Sequence, residues 1–87
     1  MEHRLKIQKQ FFLPVIRGTK QFEIRKNDRD FKVGDTVVLE EIDESNQYTG
    51  NCFSSRITYI TNFKQKEGYV VFGLSRGSNF IDYGLIS

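Results

Sequence analysis

The chain has one cysteine, one histidine, one proline and no tryptophan. With Cys52 alone, an intramolecular disulfide is excluded, whereas small secreted domains usually carry several. A reducing, cytoplasmic setting is therefore expected. One Cys and one His cannot complete a four-ligand structural zinc site, and neither a metal nor a cofactor is expected. No apolar run approaches the ~18 residues of a membrane span, and the opening MEHRLKI lacks the apolar stretch of a signal peptide, so no membrane partner is expected. The phosphate-cradling P-loop, the dinucleotide motif GxGxxG and the nucleophile elbow GxSxG are all absent, which removes sequence support for those chemistries. There is no internal repeat and no low-complexity stretch.

What is present is a foldable single domain. Aromatic residues make up 14% of the 87, eight Phe and four Tyr, a content that disordered chains lack. A chain of this length supports one compact core. The formal net charge of +2 is too mild to announce a polyanion binder, but it hides an asymmetry. Residues 1–34 carry nine bases and four acids, a balance of +5. Residues 35–50 carry five acids and no base, a balance of −5, and residues 51–87 carry four bases and two acids, a balance of +2. That polarity fits a surface with one basic face, but charge alone favours ordinary solvated strands and turns, with the acidic block 35–50 as the solvated face of a hairpin, because sign asymmetry is a common surface pattern.

Local patterns give about five strands and one short helix. Residues 3–7 (HRLKI) alternate, as a half-buried strand does. In residues 10–17 (QFFLPVIR) Phe12, Val15 and Ile16 share a helical face, and Arg17 with Gly18 makes a helix end. Because Pro14 costs about 3 kcal/mol in a helix interior, the regular helix is expected to begin no earlier than Phe11. Residues 20–26 (KQFEIRK) read as a strand with Phe22 and Ile24 on one face, Glu23 and Arg25 on the other. A charged loop follows, and Gly34-Asp35 turns into a strand at 36–42. Residues 43–50 read as a hairpin connection. Residues 52–63 form a long alternating strand with Phe53, Ile57, Tyr59 and Phe63 on one face and Ile60 as an apolar exception on the other. Residues 69–74 (YVVFGL), apolar on both faces, read as a central strand. The expected architecture is mainly β (α+β): a small barrel with one short N-terminal helix, since closure hides strand edges in a short chain. The domain is expected over 1–76. Residues 77–87 form an apolar tail, with two placements open: on the barrel, or against a second subunit as a homodimer contact.

The densest chemical cluster is GTKQFEIR at 18–25. A Glu beside an Arg orients the guanidinium, and an oriented guanidinium reads a planar acceptor pair or a phosphate. The alternative is a surface salt bridge worth under about 1 kcal/mol. The pattern Leu5-Lys-Ile7, an aromatic-rich helix, Gly18, Lys20, Glu23, Arg25, then Gly34-Asp35 before an apolar strand resembles the ASCH (activating signal cointegrator homology) domain. The chain also resembles a small bacterial and phage branch of that superfamily, of unassigned function. The likeness rests on residues 3–6, on FEIRKNDRDF at 22–31, and on VGD at 33–35. It continues through RITYIT at 56–61 and GYVV at 68–71.

The resemblance implies a PUA-like β-barrel and a cleft between helix and barrel lined by Lys20, Glu23 and Arg25, with RNA as ligand. Lys6, Lys26, Asn27 and Arg29 add cationic or amide groups at its rim, and His3 is expected to border it. Tyr48 and Tyr59 are candidate stacking surfaces, each also readable as a barrel or turn residue. The resulting expectation is a module that binds RNA or a nucleotide-like ligand. The alternative is a small amidohydrolase acting on an acylated cytidine nucleoside, as some ASCH-like proteins are, with Lys20 and Glu23 as the catalytic candidates. Those enzymes carry a Thr where this chain has Glu23. A carboxylate beside a lysine favours its ammonium form, the wrong form for attack, so Lys20 reads better as a cation that binds.

Overall fold

The computed structural model describes residues 1–75. The apolar tail at 77–87, with the homodimer role considered for it, lies outside the described residues. The element order is β1 (Glu2–Gln8), α1 (Lys9–Arg17), β2 (Phe22–Lys26), β3 (Thr36–Ile42), β4 (Tyr48–Thr61) and β5 (Tyr69–Leu74). These strands form one five-stranded sheet in the order β1-β3-β4-β5-β2, in which β1 and β3 run parallel and the other neighbours antiparallel. The mainly β architecture with one short helix is as the sequence implies, and β5 lies inside the sheet, flanked by β4 and β2.

The expected barrel is not closed. Strands β1 and β2 are the two ends of the sheet and share no main-chain ladder. Two arginine side chains reach β1 instead: Arg25 of β2, whose Nη2 donates to the Lys6 carbonyl at 2.8 Å, and Arg29 of the β2–β3 connection, whose Nη1 donates to the Arg4 carbonyl at 2.8 Å. The guanidinium groups meet β1 carbonyls where a ladder partner's amides would otherwise stand. They also occupy carbonyls on an open edge that would otherwise invite another strand.

Alternation directs one face of each strand inward. His3, Leu5 and Ile7 of β1 are buried beside Val37 and Leu39 of β3, Phe53 and Ile57 of β4, and Val70, Phe72 and Leu74 of β5. Phe12 and Val15 of α1 and Phe31 of the β2–β3 connection complete this core. The long alternation expected in β4 breaks at a bulge between Ile57 and Tyr59. One extra residue reverses the faces beyond it. Ile60 therefore turns toward the core, while Tyr59 and Phe63, expected on the Phe53 face, are exposed.

The helix begins two residues earlier than Pro14 suggested, at Lys9. Proline deletes only the bond to the carbonyl four residues back, that of Gln10, and Gln10 is exposed. Gly18, at φ 84°, ends the helix in the left-handed region that favours glycine. The Pro14 carbonyl then accepts the Thr19 and Lys20 amides, both at 3.0 Å. This tight exit fixes where β2 starts.

Candidate functional site

Strand β2 runs inside out. The register pairs Glu23 with Phe72 and Arg25 with Val70, so the charged side chains share the inner face of β5. Glu23 is 4% exposed, while Phe22 and Ile24 are 44% and 51% exposed. The sequence reading of a surface salt bridge opposite an apolar face is thus reversed. A buried carboxylate beside exposed large apolar residues is an informative departure from ordinary burial.

The buried carboxylate is fully engaged. Glu23 Oε2 accepts a hydrogen bond from Lys20 Nζ, and Oε1 accepts one from Arg25 Nε at 2.9 Å. Lys20 Nζ also donates to the Phe22 carbonyl at 2.8 Å and lies 4.9 Å from the Phe22 ring centre and 5.9 Å from that of Phe11. Lys20, Glu23 and Arg25 therefore form one connected unit, as their spacing suggested. It sits where the sheet is open.

Two hollows of about 290 Å³ each flank Arg25 along the β1–β2 seam. The first lies toward the helix and is lined by Lys6, Gln8, Phe11, Glu23 and Ile24. The second lies toward the β2–β3 connection and is lined by Ile24, Lys26, Asp28, Arg29, Phe31 and Tyr69. Ile24 and Arg25 belong to both, so together they make one groove with Arg25 across it. Exposed Lys6, Lys26 and half-exposed Arg29 stand at the groove's rim, and exposed Asp28, 4.0 Å from Arg29, offsets part of their charge.

The remaining candidates have structural partners. Asn27 is exposed between Lys26 and Asp28, and its Oδ1 accepts the Phe31 amide at 3.1 Å, which shapes the loop that carries Phe31 into the core. His3 is buried at the opposite end of β1, where Nε2 is 2.8 Å from Asp35 Oδ2 and the ring meets Phe31 edge-on with centres 4.7 Å apart. The His3 contact holds the Asp35 carboxyl below its usual range; the Lys32 amide and the Met1 ammonium also lower it, against a smaller opposing effect of burial. His3 and the Lys20–Glu23–Arg25 unit are thus separate networks.

A larger hollow, about 540 Å³, lies between the start of α1 and the β3–β4 hairpin, lined by Gln8, Lys9, Gln10, Ile42, Asp43, Glu44 and Asn46. Its chemistry is that of a turn. Asp43 Oδ1 accepts the Ser45 and Gln47 amides at 2.9 and 3.0 Å, which occupies it in closing the hairpin. Nearby Glu41 is buried, with Oε1 accepting from Thr49 Oγ1 at 2.6 Å and Asn51 Nδ2 at 3.0 Å; sequence reasoning placed it on a solvated hairpin face. The signal available was its parity with Val37 and Leu39. Among the described residues no cluster of His, Cys, Asp and Glu could hold a metal ion, and no helix is long and apolar enough to cross a membrane.

Comparison with known proteins returns a match over residues 2–74 to the model of a domain of unknown function, DUF3850. An uncharacterised 12.9 kDa protein of Escherichia phage P2, from the region 3′ of GpA, is 36% identical over 70 residues, which cover 79% of this chain. The alignment spans 63% of that phage protein's length.

Proposed function

The chain belongs to the DUF3850 family, and for this member of it we propose a binding module that takes single-stranded RNA, or a nucleotide-like part of it, in the β1–β2 seam. The observation that carries this reading is the groove itself. Lys6, Lys26 and Arg29 stand along it; of its two carboxylates, buried Glu23 is occupied by Lys20 and Arg25 and exposed Asp28 lies 4.0 Å from Arg29, which leaves Lys6 and Lys26 without an ion pair among the described residues. Cations in a row beside exposed apolar groups suit a chain of phosphates with unpaired bases. The proposed relation to ASCH and PUA-like domains rests on Glu23 and Arg25, which share a hollow with the helix residue Phe11, and on Lys20 Nζ, 5.9 Å from that ring's centre.

The amidohydrolase alternative is the weaker reading. Lys20 Nζ already donates to both Glu23 and the Phe22 carbonyl, so it is engaged as a donor rather than poised to attack.

The test is a fluorescence-anisotropy titration of mixed-sequence single-stranded RNA. Lys6 and Lys26 make no ion pair among the described residues, so a Lys6→Gln/Lys26→Gln variant changes charge without dismantling the seam. The variant is expected to bind more weakly and to shallow the slope of log K against log salt by about 1.4, the single-strand value for two lost phosphate contacts. Equal binding by both proteins, or none by the wild type at low salt, refutes the proposal.

A further inference from the structure

Beside the seam lies a second feature that the groove does not account for. The outer face of β2, β5 and β4 exposes Phe22, Ile24 and Tyr59, the last at 66%, with Phe63 just beyond β4 at 72%. The register sets Phe22 opposite Gly73 and Gly73 opposite Tyr59. Directly paired residues point to the same face, so two aromatic rings flank a residue with no side chain. At the usual strand spacing their backbones stand roughly 10 Å apart. The space is not empty at its floor: a β-carbon at position 73 would come within 2.8 Å of Thr58 Oγ1. The β4 bulge creates this arrangement by turning Tyr59 outward and bringing Thr58 over Gly73.

The charge around this face is mostly positive, with exposed Glu67 as the one acid of the β4–β5 connection. Strands β2, β4 and β5 hold a single carboxylate, Glu23, and it is buried. Lysines stand at the rings instead: Lys20 at Phe22, Lys64 at Phe63 and Lys66 at Tyr69, with nitrogens 4.9, 5.8 and 5.7 Å from the ring centres. Ile24 and Tyr69 also line the seam hollow, so the face is continuous with the groove. A surface of flat apolar rings bordered by cations, with no exposed carboxylate on its strands, complements a polyanion that carries flat apolar groups. An apolar or acidic protein segment would use one half of it.

We propose that unpaired bases of the strand held in the seam stack on Phe22 and Tyr59, with the Thr58 hydroxyl between them as a hydrogen-bonding group for a base edge. This rests on the RNA reading above. It makes the outer sheet face the base-contacting half of the interface and the seam its phosphate-contacting half.

The experiment uses the full chain and the same mixed-sequence RNA, with Phe22→Leu and Tyr59→Leu, which remove a ring but keep apolar cover. Each is expected to weaken binding about ten-fold, the scale of one lost base stack, while the salt slope stays that of the wild type. RNA containing 5-bromouridine, cross-linked by light and mapped by mass spectrometry, should label Phe22 or Tyr59. If wild type binds, the Leu variants bind as well as it does and cross-links fall only on seam residues, the stacking proposal is overturned and the seam reading stands. If wild type does not bind, both fall. If the Leu variants change the mass in solution and leave RNA affinity unaltered, the face is a contact between copies and the proposal is overturned.

Discussion

Strands β2 and β5 are hydrogen-bonded neighbours with the same alternation and opposite contents. β5 sends Val70, Phe72 and Leu74 inward, and all three are buried. β2 sends Glu23 and Arg25 inward and leaves Phe22 and Ile24 outside. A one-residue slip in the β2–β5 pairing would exchange those sets and bury the apolar pair. The chain does not take that option. The Leu74 amide donates to the Gln21 carbonyl at 3.0 Å, and Gln21 Nε2 donates to the Gly18 carbonyl at 2.8 Å. The helix exit therefore holds the register, and the strand at the open end of the sheet is given over to charge and exposed apolar surface. Strands β1, β3, β4 and β5 supply the core, and the end strand β2 carries the charged centre of the candidate site.

This contrast can be broken by substitution. Phe72 is fully buried, so Phe72→Ala is expected to destabilise the domain most, by about 4 kcal/mol in a denaturant melt. Glu23→Ala should follow at about 3 kcal/mol, because it leaves Lys20 and Arg25 facing each other without their shared acceptor. A loss below about 1 kcal/mol would mean that the inverted strand is an ordinary surface. Arg25→Leu removes a bridge to the Lys6 carbonyl as well as a partner of Glu23, and about 2 kcal/mol is expected. Ile24→Thr, on the outer face, should change stability by no more than about 0.5 kcal/mol.

The other network sharpens the comparison through pH. Asp35 titrates below its usual range in the folded state, chiefly through its contact with His3. A carboxyl depressed on folding adds stability that is complete above its unfolded value, about 3.9, and is lost as pH falls through the lower folded value. Thermal midpoints measured from pH 6 down to pH 2 should therefore fall, and Asp35→Asn should flatten the decline. An unchanged profile in the variant would show that the His3–Asp35 contact is not made in solution.

Much of the architecture could be read from the residues, because period and punctuation are local. Alternation marked the strands, and Arg17-Gly18 marked the helix end. What alternation cannot supply is which face turns inward. For β2 that was decided by pairing with β5, a partner more than forty positions away. The same limit hid the seam, since the reach of Arg25 and Arg29 to carbonyls of β1 joins residues 19 and 25 positions apart. Some signals were available. His3 shares parity with Leu5 and Ile7, which already placed it on the buried face. Ile60, the apolar exception in the long strand, was the trace of the β4 bulge. Lys20, Glu23 and Arg25 were legible as a unit because their contacts are short in sequence.

The seam, rather than the larger hollow beside the hairpin, is the proposed binding surface. Adding single-stranded RNA to isotope-labelled protein, and following each backbone amide by NMR, tests that choice. Amides of Lys6, Ile24, Lys26 and Arg29 should shift together and saturably, while those of Asn46 and Gln47 in the hairpin stay in place. Shifts confined to the hairpin, or none anywhere at low salt, would contradict it.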